Sequence, residues 1–110
     1  MLKTKHNTND VITIKLVSGE EVIGYYVEEN MGEIVLRKPV VPVPTSEGQM
    51  ALAPYIMSSS YLREGPGEVP FNKQTVVTTL STSKEFKAAY TQQVSGLDLN
   101  PGGNKGLITS

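Results

Sequence analysis

The sequence predicts a mostly β chain that ends in a single helix, and three observations carry that prediction. From Val11 the residues alternate between two faces, with Ile12, Ile14 and Leu16 on one and Val11, Thr13, Lys15 and Val17 on the other. That period of two, rich in β-branched side chains, belongs to a half-buried strand. Glycine and proline supply 10 and 7 of the 110 residues, which argues for many turns and against a helical bundle. Beyond Thr82 the apolar period lengthens to that of a helix. The length fits one domain. Its expected parts are a flexible arm over residues 1–10, five antiparallel strands within 11–80, a helix over 83–96 and a flexible tail over 98–110.

Each element has a local reason. Ser18-Gly19-Glu20 turns the first strand into a second running from Glu21 to Glu28, with Gly19 suited to a positive φ. Gly24 interrupts that second strand and marks a bend, a bulge or a close backbone approach. Asn30-Met31-Gly32 is the next turn. The third strand, Glu33–Lys38, continues into Pro39-Val40-Val41-Pro42-Val43-Pro44, where proline restricts pairing to an edge or to carbonyls. Met50–Met57 is the fourth apolar segment, Ser58–Glu68 a long loop, and Phe71–Leu80 the last strand. Thr82 and Glu85 have the spacing of a capping box. Phe86, Ala89, Tyr90, Val94 and Leu97 then share one helical face, and Gly96 suits the helix C-cap.

Composition excludes several functions. There is no cysteine, so disulfides, thiol nucleophiles and thiolate metal sites are out. His6 stands alone, and Asp10, Glu20-Glu21 and Glu28-Glu29 are solvated charges at strand ends, so no metal site is expected. Gly65-Pro66-Gly67 and Pro101-Gly102-Gly103 lack the strand, lysine and helix of a phosphate cradle. Ser58-Ser59-Ser60 has no base beside it. An enzyme is not expected, nor a cofactor or catalytic residue. The net charge of −1 supplies no global field toward nucleic acid. Neither a signal peptide nor an apolar run of about 20 residues is present, which points to a soluble, cytoplasmic protein.

A short, strongly bent, antiparallel five-stranded chain is the plan of small barrels of the SH3-like and OB kinds. The stretch Ile12-Thr13-Ile14-Lys15-Leu16-Val17-Ser18-Gly19-Glu20-Glu21-Val22-Ile23-Gly24 resembles the first motif of the Sm, LSm and Hfq proteins, with Ile34-Val35-Leu36 similar to its end. The likeness is closest to Sm-like proteins of tailed phages, marine cyanophages among them, which also carry a helix after the barrel. It implies an Sm-like (SH3-like) barrel with one C-terminal helix, located in a host cytoplasm if phage-encoded. In that family the turn after the second strand reads Asp-x-x-Met-Asn; here it is Glu29-Asn30-Met31-Gly32-Glu33, with a carboxylate at the Asn position. Phe71-Asn72-Lys73-Gln74-Thr75-Val76 stands in for the second motif.

The resemblance implies a homo-oligomeric ring of about five to seven subunits, closed by pairing of the fourth and fifth strands between neighbours. The expected edge residues are Leu52, Tyr55, Ile56, Met57, Thr75, Val76 and Val77. The alternative is a monomer whose edge is blunted by Pro54 and Pro70. The implied partner is single-stranded RNA. Met31 would pack on a base face, Asn30 and Asn72 would read its edge, Lys73 would meet phosphate with Gln74 beside it in the last turn, and Arg37 and Lys38 would line a pore or a face. Plainer roles exist for each: Asn30 as turn former, Met31 as filler between subunits, Arg37 and Lys38 as a solvated face. A second expectation is a ring that binds other proteins through the helix or through the long loop with Tyr61 and Leu62.

Overall fold

The computed structural model describes residues 6–56, 58 and 65–99. Six strands form one antiparallel sheet: β1 (Val11–Leu16), β2 (Glu21–Glu29), β3 (Glu33–Pro44), β4 (Met50–Pro54), β5 (Glu68–Asn72) and β6 (Val76–Ser81). The order is β4-β3-β2-β1-β6, and β5 also pairs with β3. A 3-10 turn, Lys73–Thr75, joins β5 to β6, and helix α1 spans Lys84–Leu99. The alternation read from the sequence decides the two faces. Ile12, Ile14, Leu16, Val22, Tyr26, Ile34, Leu36 and Phe71 fill one core, while Val11, Ile23 and Val40 meet Tyr90 and Val94 of α1 in another. Among the described residues, no helix is long and apolar enough to cross a membrane.

Six strands replace the expected five because the last expected strand, Phe71–Leu80, is cut in two. Asn72 Oδ1 accepts from Gln74 N (2.8 Å) and Thr75 Oγ1 donates to Asn72 O (2.7 Å). These local side-chain bonds offer the backbone a turn in place of the ladder. The expected fourth strand also stops early, at Pro54 rather than Met57. Met57, Tyr61 and Leu62 lie outside the described residues. β4 and β5 prove to be successive lengths of one line along the same edge of β3, opposite Val40–Pro44 and Glu33–Arg37 respectively. The chain leaves that line where Tyr55 N donates to Pro39 O (3.0 Å), and it returns where Lys38 N donates to Gly67 O (2.8 Å).

The prolines of β3 fit this pairing. Tyr55 N reaches Pro39 O and Thr45 N reaches Gln49 O (2.7 Å), so the odd-numbered residues of this stretch turn their bonding groups to the β4 side, Pro39 through its carbonyl alone. Pro42 and Pro44 occupy the even positions, which point away from β4, and β2 has no partner for β3 beyond Val40. Their missing N–H groups therefore leave the ladder intact.

β3 bends sharply at Lys38. The β2–β3 register jumps from Ile23↔Val40 to Tyr25↔Arg37, so Gly24 faces two residues, Lys38 and Pro39. Such a bulge needs an unusual backbone, and Lys38 adopts φ +55°. A Cβ on Gly24 would lie 3.2 Å from Leu36 Cβ and 3.3 Å from Arg37 O, so a side chain there would be tight against both and glycine relieves the close approach. The bend is held from above: the fully buried Tyr90 shares its single O–H between Arg37 O (2.9 Å) and Lys38 O (2.8 Å).

Helix α1 differs from expectation at both ends. Ser83, not Thr82, supplies the cap: its Oγ accepts from Phe86 N (3.4 Å), and Lys87 N donates to Ser83 O (2.8 Å). Thr82 lies just beyond β6 and still bonds to β1, its N donating to Val11 O (3.4 Å) and its hydroxyl 2.9 Å from that of Thr13. The helix runs past Gly96 to Leu99. Tyr90 and Val94 are buried and Phe86 packs beside them, whereas Ala89 is exposed. The side chain of Leu97 lies outside the described residues.

Two substitutions test the bend. Tyr90→Phe keeps the ring but removes a hydroxyl that bonds two partly buried carbonyls, and is expected to lower the unfolding free energy by about 1–2 kcal/mol. Gly24→Ala is expected to cost about 1–3 kcal/mol through the contacts with Leu36 and Arg37. Urea denaturation followed by circular dichroism measures both; unchanged midpoints would show that the bend does not depend on these groups.

Candidate nucleic-acid interface

Two turns meet at one end of the sheet. In the β2–β3 turn, Asn30 Oδ1 accepts from Gly32 N (2.8 Å) and Glu33 N (2.9 Å), and Asn30 N donates to Glu33 O (2.9 Å). This Asx geometry makes Asn30 the former of the turn and leaves Met31, at its tip, 97% exposed. The 3-10 turn is built the same way on Asn72. Lys73 N donates to Gly32 O (2.9 Å), and Glu33 pairs with Asn72, so the two turns lie side by side. Both asparagines spend their oxygens on the backbone. Their Nδ2 groups have no partner among the described residues, which leaves one amide donor in each turn.

The charge at this end is partly consumed. Lys73 Nζ lies 2.7 Å from Glu29 Oε2, and Tyr26 donates its hydroxyl to Glu29 Oε1 (3.1 Å). The Lys73 ammonium holds the Glu29 carboxyl below the usual carboxylate range, with the Tyr26 hydrogen bond adding to the effect against some desolvation. Burial pushes the Tyr26 hydroxyl up, and the Glu29 charge beside it adds to that. His6 leans on the Tyr26 ring (centroids 5.5 Å apart), with its Nε2 3.3 Å from Thr79 Oγ1. A shallow cavity of about 220 Å³ opens beside the bridge, lined by Glu29, Ile34, Lys73 and Val76–Thr79.

Five of the residues singled out from the sequence thus come together: Asn30, Met31, Asn72, Lys73 and Gln74. Arg37 and Lys38 do not join them. They sit at the bend of β3, where the Arg37 guanidinium lies 4.4 Å over the Tyr25 ring and donates to Asn9 Oδ1 (3.3 Å). Lys38 Nζ donates to Gly65 O (3.2 Å).

Of the expected edge residues, Leu52 is on β4 and Val76 and Val77 on β6, the two outer strands. Val77 is 62% exposed, whereas Val76 packs against the core. Thr75 belongs to the 3-10 turn, its carbonyl accepting from Val17 N (2.8 Å). Tyr55 turns its ring onto Phe71 (centroids 5.2 Å apart), and Ile56 is exposed. The sequence reading passed over Glu29 as a solvated charge. Its only signal was its place at the end of β2, beside the turn that carries Met31.

Elsewhere, an open groove of about 560 Å³ runs along the helix side of the sheet, with Thr13, Ile23, Pro42, Leu80 and Phe86 in its lining. Among the described residues, no group of His, Asp and Glu side chains is placed to hold a metal ion. The fold and the site define a small antiparallel β protein whose polar features concentrate at two facing turns. No protein-family model matches the chain, and no curated protein matches it either.

Because the Glu29 carboxyl is held below its ordinary value of 4.5, the bridge contributes stability above that pH and loses it as the pH falls through the lowered value. Urea midpoints compared at about pH 6 and about pH 3 should therefore fall less for Glu29→Gln than for the unaltered protein. An equal fall would show that the bridge carries none of the acid sensitivity.

Proposed function

We propose that the chain is an Sm-like small barrel that forms a homo-oligomeric ring and binds single-stranded RNA at the two facing turns, without catalysing a reaction. The observation that carries this reading is the meeting of the turns through Lys73 N and Gly32 O, which brings the turn of the exposed Met31 and Asn30 beside the turn of Asn72 and Lys73. A thioether packs on a base face, and amide donors suit the carbonyl oxygens of a base edge. The strand order supports the barrel: one long bent strand carries β4 and β5 in line, and a 3-10 turn leads to β6 on the opposite edge.

The edges support assembly. β6 presents Val-Val-Thr-Thr-Leu-Ser with neither proline nor charge, and its outer side faces no strand among the described residues. An edge of that kind requires a cover, and an edge strand of a second copy provides one. The β4–β5 side carries partial protection, with Pro54 and Pro70 in it and Gln93 Nε2 donating to Leu52 O (3.1 Å).

Two observations favour a second reading, a ring that binds proteins instead. Lys73 is already paired with a carboxylate, and the helix-side groove is the larger of the two openings.

Native mass spectrometry with short oligo(U) and oligo(A) separates the two. The RNA reading predicts a closed oligomer that retains RNA and releases it as ionic strength rises. A closed oligomer indifferent to RNA would favour the second reading, and a monomer would contradict both. Met31→Ala should weaken RNA binding by about 1 kcal/mol and leave the oligomer intact; dissociation of the ring would assign Met31 to the subunit interface.

A further inference from the structure

The ammonium that would meet a phosphate is occupied in the free protein, and the occupant is itself held. Lys73 Nζ is 2.7 Å from Glu29 Oε2, while Glu29 Oε1 accepts the Tyr26 hydroxyl at 3.1 Å. Tyr26 is anchored in the core and flanked by the His6 ring. The Lys73 backbone is fixed beside the β2–β3 turn, its N–H bound to Gly32 O, and its side chain is 34% exposed. A phosphate approaching between the two turns therefore meets a cation already matched by an anion of similar shape. It must displace that carboxylate and then lie close to it.

We infer that Glu29 is a built-in competitor for the phosphate backbone: the Lys73–Glu29 bridge must open before Lys73 can contact nucleic acid, so Glu29 sets the affinity of the site. This rests on the RNA reading of the two turns. Glu29 is then the residue that limits the interface to weak, readily reversed binding, and Tyr26 is the residue that positions it. A merely structural bridge, fastening the 3-10 turn to β2, makes a different prediction, because its loss would change stability and leave the affinity alone.

Fluorescence anisotropy of a labelled oligo(U), measured across a salt series for the full chain, tests the inference. Glu29→Gln keeps an acceptor for Tyr26 and Lys73 but removes the competing charge. It should tighten binding about two- to fivefold, the range set by opening a partly exposed ion pair. It should also steepen the dependence of log affinity on log salt by about 0.7, the value for one added phosphate contact on a single strand. The gain should vanish in Glu29→Gln/Lys73→Gln. Glu33→Gln removes an exposed charge from the same turn and should give a smaller gain. Tyr26→Phe, which loosens Glu29 without altering the charge, should give a small gain of the same sign and serves if Glu29→Gln folds poorly. Unchanged affinity in Glu29→Gln and Tyr26→Phe, with the unaltered protein still binding, would overturn the role of Glu29 alone. A gain that survives loss of Lys73 would do the same. Failure of every variant and of the unaltered protein to bind would overturn the RNA reading and this inference with it.

Discussion

Everything else in this structure depends on the bend of β3 at Lys38, where three weak preferences converge on one conformation. A glycine on the neighbouring strand admits the close approach, a non-glycine residue accepts a left-handed backbone, and a buried tyrosine hydroxyl binds the two carbonyls that the bulge exposes. A non-glycine residue at positive φ costs of order 1–3 kcal/mol unless the surroundings determine it. Here the surroundings are Gly24 below and Tyr90 above. The helix is therefore part of the sheet's geometry as well as a cover for one of its faces.

The bend has consequences at both ends of β3. Beyond it, Val41–Pro44 pairs with β4 and no longer with β2, which is why proline is tolerated at positions 42 and 44. Before it, Glu33–Arg37 is sandwiched between β2 and β5. β5 is thereby brought to the β2–β3 turn, and the chain must cross from there to pair β6 with β1 in a space of three residues. The crossing is the 3-10 turn that carries Lys73, so the juxtaposition of the two candidate turns follows from the path of the backbone. The Lys73–Glu29 bridge is a further consequence, since the crossing passes over the end of β2.

Much of this was legible in the sequence, and what was not has a physical reason. Alternation over Val11–Val17, the turn at Gly19 and the interruption at Gly24 are short-range signals, and the structure places β1, β2 and the bulge there. The stripe of Phe86, Tyr90 and Val94 is equally local, and it packs on the sheet. The break between Asn72 and Thr75 was hidden because its cause, an asparagine cap and a threonine back-bond, sits inside a stretch of strand-forming residues. The collinearity of β4 and β5 was hidden because it is a matter of long-range pairing with β3, which no window of sequence contains. Asn30, Met31, Asn72, Lys73 and Gln74 were picked out by resemblance and lie together, while Arg37 and Lys38, adjacent in sequence and basic, are drawn to the bend by Tyr25, Asn9 and Gly65. Glu29 escaped notice because a carboxylate at a strand end is usually solvated, and only the crossing turn gives it a partner.

The claim that the bent sheet makes one site out of two distant turns is tested most directly by nuclear magnetic resonance, following backbone amides as oligo(U) is added. The account predicts that Met31, Gly32, Lys73 and Gln74 shift together along a single binding curve. Shifts confined to one turn, or centred on Thr13, Leu80 and Phe86 in the helix-side groove, would contradict it.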